Sequence, residues 1–204
     1  MPSVPMPSNT VYEFVAPGPR RTAGRMSVAE RSPFSEALRQ LPRGVSIVTF
    51  LSGAEWRGVT ATSISSLSAD PPTILVCLDR AASAVQHDDA SVSFGVSVLA
   101  ASHAELADQF GGGAAIETSA KESEGSWVAT PQGVIFRSDA VAALECERED
   151  VIERYGRAIL IGRVRNVFTS GGSGALVLWR GSYNSIGWTD DEVRRAVGLF
   201  PATR

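Results

Sequence analysis

Runs of apolar residues of strand length, separated by turn-forming residues, recur along most of the chain. They cover residues 45–51, 73–78, 91–99, 133–137, 140–147, 158–168 and 175–186, and a further run begins at Trp56. Their valine, isoleucine and phenylalanine content is typical of β-strands, and the strands, about eight in number, do not alternate with long helices. The pattern therefore predicts a mainly β protein of antiparallel strands and favours a closed or nearly closed barrel.

Helical periodicity is confined to a few short segments at the periphery of this pattern. One helix is predicted over residues 34–41, after a Ser32-Pro33 start. A second is predicted to begin at a capping box of Ser102 and Glu105 and to stop at the glycines of 111–113. Two more are predicted at 81–87 and 189–200. Residues 114–132 are polar and predict a long loop or lid.

The stretch from Trp56 to Pro72 carries five hydroxyl side chains. Thr60 and Thr62 stand two apart, so on a strand their hydroxyls share one face. After Thr62 the alternation lapses, and a serine-rich loop is expected. In one interpretation, the loop binds a phosphate through its backbone N–H groups and hydroxyls. In the other, it is an ordinary serine-rich loop after an edge strand and has no ligand. The stretch alone does not decide between these two interpretations.

Composition and charge limit the classes of function. The chain has 204 residues, 44% of them hydrophobic and 20% charged, with a net charge of −3. These values suit one globular domain and argue against nucleic acid as a main partner. No apolar run has the length of a membrane helix, so no membrane association and a cytoplasmic location are expected. Cys77 and Cys146 are expected to be buried thiols, and with only two histidines no metal site is expected.

Residues 1–31 are rich in proline, serine and arginine and show little periodicity. They predict a flexible or extended arm, and the folded domain is predicted to cover residues 32–204.

Several motifs, in this order, resemble the flavin reductase component of two-component monooxygenases. They are FSEALRQLPRGVSIVTF, GVTATSISSLSADPPTILVCLDRAASA, FGVSVL and a late Gly-Ser-Tyr at 181–183. The similarity covers roughly residues 33 to 186. It implies a split β-barrel of Greek-key, FMN-binding type, usually a homodimer with flavin near the subunit interface. It also implies reduction of FMN or FAD by NADH or NADPH, with the reduced flavin diffusing to a partner monooxygenase.

The resemblance also implies which residues bind the cofactor, position by position. The family's Thr-x-Ser/Thr-Ser stretch, which contacts flavin, matches Thr60, Ala61, Thr62 and Ser63. The segment after the buried strand matches Asp79, Arg80 and Ser83, and the Phe-x-Val-Asn strand matches Phe94, Gly95, Val96 and Ser97. Tyr183 belongs to the late Gly-Ser-Tyr. For Phe94, core packing is the stronger interpretation, and a solvated strand-end arginine is the alternative for Arg80.

The chain departs from the family pattern at two positions. Ser97 stands where the family usually has asparagine. The family's Gly-Asp-His reads Tyr155-Gly156-Arg157 here, ahead of ILIGRV. The missing histidine commonly lies by the flavin and the nicotinamide, and we predict Arg157 as the catalytic-site residue in its place. A guanidinium there would stabilise reduced flavin or nucleotide phosphates, or it would lie in solvent at a strand start.

Two other classes of function fit the same residues. The first is a flavin-binding protein, such as a carrier, that does not reduce free flavin. The second is a flavin enzyme that acts directly on a small molecule and uses the altered Arg157 region.

Overall fold

A computed structural model describes residues 32–52, 55–80, 93–111, 116–118, 127–170 and 174–187. The predicted arm at 1–31, the predicted helices at 81–87 and 189–200, and Ser83 lie outside these described residues. The helices are α1 (Pro33–Arg39) and α2 (Ala104–Gln109), with a 3-10 turn at Ala101–His103. The strands are β1 (Arg43–Gly44), β2 (Ser46–Ser52), β3 (Glu55–Ala61), β4 (Ile64–Ala69), β5 (Pro72–Asp79), β6 (Ser93–Val98), β7 (Ile116–Thr118), β8 (Trp127–Ala129), β9 (Ile135–Arg137), β10 (Ala142–Arg154), β11 (Arg157–Thr169), β12 (Ala175–Trp179) and β13 (Ser182–Ile186).

One eight-stranded antiparallel sheet dominates the described structure, in the order β4-β5-β11-β10-β6-β2-β3-β7. A smaller sheet has the order β1-β12-β13, and β8 pairs with β9. The prediction of a mainly β, antiparallel protein is confirmed. Strands β3 and β4 lie near opposite ends of the large sheet, yet only two residues connect them. The sheet must therefore curl, so that its two ends come close together.

The core inside the curled sheet is apolar and collects side chains from six strands. Its buried members are Val48, Phe50, Val59, Ala61, Ile74, Val76, Leu78, Phe94, Val96, Cys146, Ala158 and Leu160. The alternation of inward and outward residues along β5 is the period-2 pattern of a strand with one face in the core. A second cluster lies on the outer face, where α2, β12 and the aromatic rings of Trp56 and Phe110 pack together.

Several sequence predictions are confirmed and several are wrong. Helix α1 starts where predicted, because the Ser32 hydroxyl accepts a hydrogen bond from the Ser35 N–H at 3.2 Å. The prediction of a serine-rich loop after Thr62 is wrong, because residues 64–69 form β4 at the sheet edge. The prediction of a long loop over residues 114–132 is wrong in part, because this segment contains β7 and β8. The run 175–186 is a hairpin of two strands.

The predicted capping box of Ser102 and Glu105 is also wrong. Ser102 lies inside the 3-10 turn, and α2 begins at Ala104 without a side-chain cap. His103 instead folds back, so that its Nδ1 accepts a hydrogen bond from the Ala100 N–H at 3.2 Å. Within the described residues, no helix is long and apolar enough to cross a membrane.

Candidate functional site

The corner formed by Thr62 and Ser63 is fixed against the end of β5. The Ser63 carbonyl accepts a hydrogen bond from the Cys77 N–H at 2.9 Å, and Ile64 then lies opposite Val76 in the β4–β5 ladder. Leu78 and Asp79 continue β5 from this point. The corner therefore places both predicted cofactor-binding hydroxyls beside the carboxyl end of β5.

The hydroxyls of this corner are available to a ligand. Thr62 is half-buried and Ser63 is exposed. Within the part of the chain that the structure describes, neither hydroxyl makes a hydrogen bond, whereas nearby Thr60 and Ser68 do. Hydroxyls donate and accept, so the pair suits a ligand rich in phosphate or hydroxyl oxygens. Ala61, which lies between Thr60 and Thr62 in this motif, is buried in the core.

Asp79, Arg80 and Arg157 come together at the same end of the sheet. Arg157 lies opposite Asp79 in the β5–β11 ladder, and its Nη1 is 3.8 Å from the Asp79 carboxylate Oδ2. Arg80 Nε is 3.1 Å from Glu153 Oε2, and the Arg80 N–H donates to the Gly156 carbonyl at 3.1 Å. Three residues predicted from two separate motifs thus form one cluster.

Among the described residues, this cluster contains more basic than acidic side chains. Arg154 lies opposite Arg157 across the β10–β11 turn, so three described arginines lie near two described acids, Asp79 and Glu153. The paired side chains are roughly half exposed, and ion pairs in such positions are weak because water screens them. An anionic ligand is therefore able to compete with Asp79 for Arg157 at little cost.

The tight turn between β10 and β11 sets the position of Arg157. Its two central residues, Tyr155 and Gly156, have φ angles of 52° and 75°. This left-handed pair suits a two-residue hairpin, and glycine takes one of the two positions without a steric cost. Arg157 is consequently the first residue of β11, and its side chain lies beside Asp79 at the end of β5.

Thr60 and Tyr183 lie on either side of the C-terminal turn of α2. The Thr60 hydroxyl donates to the Ala107 carbonyl at 2.8 Å. Burial, and then the nearby Asp108 carboxylate, raises the pKa of Tyr183 above its ordinary value of 10.0. The Thr60 side chain is thereby used within the chain, while Tyr183 remains half-buried.

The four matched residues of β6 are buried. Phe94 and Val96 belong to the inner core. The hydroxyl of Ser97 accepts from the Arg137 N–H at 3.0 Å, and a β-carbon at Gly95 would overlap the Ile135 carbonyl. Core packing, the stronger interpretation for Phe94, agrees with its place in the structure, and the flavin contacts of these four residues stay a prediction.

Two acidic residues of the site were missed by the sequence reasoning. Asp108 lies near the Tyr183 hydroxyl, and Glu153 pairs with Arg80. The charged residues of 147–154 stand in unbroken runs and resemble a loop, so the sequence carries no strand signal for Glu153. Asp108 carries no signal either, because its position near Tyr183 is set by how α2 packs on the β12–β13 hairpin.

The available groups fit a flavin with its phosphate. Open hydroxyls at the corner and guanidinium groups beside it supply donors for phosphate and ribityl oxygens, and the half-buried Tyr183 supplies a further polar group. Across the corner, Thr60 and Ser63 are three residue steps apart and so at most about 10 Å from each other, which lies within the length of one such ligand.

Comparison with known proteins agrees with this geometry. Residues 38–187 match the model of the family described as flavin reductase like domain. A curated relative from Streptomyces coelicolor, the actinorhodin polyketide dimerase, is 36% identical over 143 residues, which are 68% of this chain and 77% of the relative. The NADH-dependent FMN reductase AsuE2 of Streptomyces nodosus subsp. asukaensis is 31% identical over 157 residues, 76% of this chain and 85% of the relative.

A solved structure is similar over most of its length. The NADH:FAD oxidoreductase SgcE6 of Streptomyces globisporus C-1027, in complex with NAD and FAD fragments, superposes with a TM-score of 0.67 at 27% identity. The match covers 81% of this chain and 98% of that one. The predicted split-barrel fold is confirmed, and the chain belongs to the flavin reductase like domain family.

Proposed function

We propose that the protein is an NAD(P)H-dependent flavin reductase that acts on FMN or FAD. The observation that carries the proposal is the hydrogen bond between Ser63 and Cys77, because it anchors the open hydroxyls of the corner two residues from Asp79, which lies opposite Arg157. Relatives named as an NADH-dependent FMN reductase and an NADH:FAD oxidoreductase support it.

The residues of the chain bind and orient, and they need not transfer protons. Thr62 and Ser63 would hold phosphate or ribityl oxygens, and Arg80 would neutralise the phosphate. Arg157 would stabilise negative charge on the reduced flavin or on the nucleotide. The bound flavin supplies the hydride acceptor and the nicotinamide supplies the hydride, so the protein contributes proximity and electrostatics.

Turnover with free flavin tests this proposal directly. The oxidation of NADH and NADPH is followed by the loss of the absorbance of the reduced nicotinamide. FMN, FAD or no flavin is added in parallel assays. We expect a rate that depends on added flavin and a matching yield of peroxide in air. Tight flavin binding without any turnover would favour the carrier alternative and contradict the proposal.

A direct action on a small molecule is the second candidate, and the dimerase relative favours it. Its distinguishing property is the requirement for an organic substrate. If NADH is consumed only when an organic substrate is present, this second candidate replaces the first. Substrate-independent oxidation supports flavin reduction.

We also propose that the protein is a homodimer. Outside the core, β5 and β11 present a row of apolar side chains, Leu75, Cys77, Ile159 and Ile161, on the face opposite to the barrel interior. A second copy would cover this face and reduce its contact with water. Light scattering should give twice the monomer mass of 21.6 kDa. Ile161→Arg should give a monomer, whereas a parent already monomeric at micromolar concentration would contradict the dimer.

The finer partner assignments follow from the same proposal. Reduced flavin would leave the site and diffuse to a separate monooxygenase, without a stable complex of the two proteins. A cytoplasmic location is part of this proposal, because the reaction would use the NADH or NADPH of the cytoplasm and supply an oxygenase in the same compartment. A purified oxygenase that accepts reduced flavin across a dialysis membrane would support diffusion, and a requirement for direct contact would contradict it.

A further inference from the structure

The hairpin turn between β10 and β11 departs from local preference in two ways. Tyr155 takes the left-handed conformation, with φ at 52°, where glycine or asparagine is the usual residue. Arg154 and Arg157 stand directly opposite each other across the same turn, and like charges in that position repel. The sequence Arg-Tyr-Gly-Arg is therefore unfavourable for the stability of the turn. Such local conflicts with the fold are expected at functional sites.

Tyr155 makes no compensating contact with the rest of the fold. It is 90% exposed, and within the part of the chain that the structure describes its side chain makes no hydrogen bond or ring contact. The β12–β13 turn provides a comparison, since Arg180 has the same φ of 52° there. Arg180 donates from Nε to the Gln40 side chain at 2.8 Å, and its guanidinium lies 4.6 Å from the centre of the Trp179 ring. The left-handed residue of that turn is used within the chain, whereas Tyr155 faces solvent.

The β10–β11 turn is fixed at the end of the large sheet. The Gly156 carbonyl accepts a hydrogen bond from the Arg80 N–H at 3.1 Å. On the other flank, the Arg157 guanidinium is 3.8 Å from the Asp79 carboxylate. Tyr155 is therefore carried on a backbone that is anchored to the end of β5, within the arginine cluster.

The standard dimensions of a sheet place this turn beyond the Thr62–Ser63 corner. The corner is anchored at Cys77, and Arg157 lies opposite Asp79, two residues further along the strand. Strands β4 and β11 lie on either side of β5, so two strand spacings separate them. The backbone of Arg157 is thus about 12 Å from that of Ser63. A flavin held at the corner reaches the turn only if the ligand continues beyond its phosphate.

We propose that Tyr155 is a binding residue for the adenosine diphosphate half of a dinucleotide, FAD or NAD(P)H. The inference rests on the proposed function and names the part of the ligand that lies beyond the flavin ring or the nicotinamide. Exposed aromatic rings stack on nucleobases, and guanidinium groups pair with phosphate. A phosphate beside Arg154 and Arg157 would also reduce the repulsion between them. FMN lacks this half and would leave the ring uncovered.

The test uses variants at two turns. Tyr155→Ala removes the ring, Tyr155→Phe keeps it, and Tyr155→Asn gives the Asn-Gly pair that this type of turn favours. Arg180→Asn makes the same exchange at the β12–β13 turn, which belongs to the smaller sheet, and is the matched control. Melting temperatures and light scattering are recorded for every protein.

Pairs of ligands with and without the adenosine half give the main readout. Affinity for FAD and for FMN is measured by fluorescence quenching, and KM is measured for NADH and for reduced nicotinamide mononucleotide. We expect Tyr155→Ala and Tyr155→Asn to weaken FAD binding or to raise the KM for NADH about five- to tenfold, the low end for base stacking, because the ring is exposed. The values for FMN and for the mononucleotide should not change. The pair that responds identifies the dinucleotide that contacts Tyr155.

Folding stability separates a binding role from a structural one. Asparagine suits the left-handed conformation better than tyrosine does, so Tyr155→Asn should melt at the same temperature as the parent or higher. Tyr155→Phe should keep both the stability and the preference for the dinucleotide, since the ring stacks without its hydroxyl. A variant that folds as well as the parent but has lost the preference for the adenosine half supports the inference.

The remaining outcomes overturn the inference. Unchanged constants in Tyr155→Ala, or equal losses for the long and the short ligand of each pair, overturn it and leave the proposed function standing if the parent reduces flavin. Loss of the preference in Tyr155→Phe, or an equal effect of Arg180→Asn, also overturns it. A change from dimer to monomer in Tyr155→Ala with unchanged dinucleotide affinity would place the ring in a subunit contact instead. A parent that neither binds nor reduces flavin overturns both the inference and the proposed function.

Discussion

Arg157 and Asp79 are direct neighbours across the β5–β11 ladder, with 3.8 Å between the Arg157 guanidinium and the Asp79 carboxylate. The position that departs from the family histidine is therefore already engaged by an acid. Because both side chains are about half exposed, the pair is weak and open to exchange for a ligand oxyanion. This arrangement gives Arg157 a defined place beside the corner and makes its role measurable.

Arg157→Ala should slow hydride transfer or raise the nucleotide KM, and it should change oxidised-flavin affinity little. The reason is that negative charge develops on the flavin only on reduction, while the nucleotide brings phosphates of its own. Arg157→His should keep more activity and add a pH dependence between roughly 6 and 7.5, because histidine titrates there and arginine does not. Stopped-flow reduction and steady-state kinetics measure both effects.

Arg154→Ala is the matched control for this prediction. Arg154 lies opposite Arg157 on the same turn, and its Nη1 donates to the Glu153 carbonyl at 2.7 Å. It should affect the rate less than Arg157→Ala. If Arg157→Ala and the parent have the same kinetic constants, Arg157 is a solvated strand-start residue.

Replacing Thr62 and Ser63 together with valine should weaken flavin binding at least tenfold, roughly the 1.4 kcal/mol expected when the ligand's oxygens lose hydroxyl donors. Neither hydroxyl bonds another described residue, so the loss should fall on ligand binding rather than on folding. Flavin titration by fluorescence and thermal melting separate the two. Ser66→Val, on the exposed face of β4, is the control and should bind flavin like the parent. Unchanged affinity in the double variant would remove the corner from the site.

The sequence predicts the strands of this fold best where burial alternates cleanly. β5 was predicted from its apolar run, whereas the outer half of β10 was missed because its charged residues resemble a loop. In the structure Glu147 pairs with Arg165 and Glu149 pairs with Arg163, so cross-strand ion pairs take the place of apolar contacts. Likewise β4 is serine-rich, and it is a strand because it pairs along β5.

The site shows the same division between local pattern and long-range packing. The hydroxyls at 62 and 63 and the arginines at 80 and 157 were named from local motifs, and the structure brings them together. The proximity of Asp108 to Tyr183 was not predicted, since neither residue's neighbours in sequence contain information about the other. The burial of Gly95 and Ser97 under β9 was equally out of reach, because it depends on where the β8–β9 hairpin packs.

Gly162→Ala should destabilise the barrel, by about 1–3 kcal/mol as expected for overpacking. A β-carbon at Gly162 would overlap Cζ of Phe94, whose ring is 1% exposed and has no open space to move into. Phe94→Leu in the same chain should restore part of the loss, since the shorter side chain vacates that space. Urea unfolding of the two single variants and the double variant measures the coupling.

The same series tests whether Phe94 serves packing or the cofactor. If Phe94 is a core residue, Phe94→Leu alone should lower stability and leave flavin affinity nearly unchanged. A large loss of flavin affinity without a change in melting temperature would instead support the flavin contact that the family resemblance implies. Additive effects of Gly162→Ala and Phe94→Leu would contradict the steric relationship.

The stability of the protein should fall in alkaline solution because of Cys146. Burial, and then the neighbouring Glu145 carboxylate, raises the pKa of the Cys146 thiol from 9.0 to about 12. The folded state keeps the thiol proton while the unfolded chain releases it above pH 9, so this contribution is fully present below pH 9 and is lost as the pH rises toward 12. Between pH 8 and pH 10.5 the loss should be about 2 kcal/mol.

The measurement is the unfolding free energy of the parent and of Cys146→Ala across that range. Cys146→Ala leaves a cavity and lowers stability at pH 8, but it has no thiol to titrate, so the gap to the parent should narrow as the pH rises. Val96→Ala removes apolar volume from the same core without a titrating group and should keep a constant gap. Parallel curves for the parent and Cys146→Ala would show that the buried thiol is not linked to alkaline unfolding.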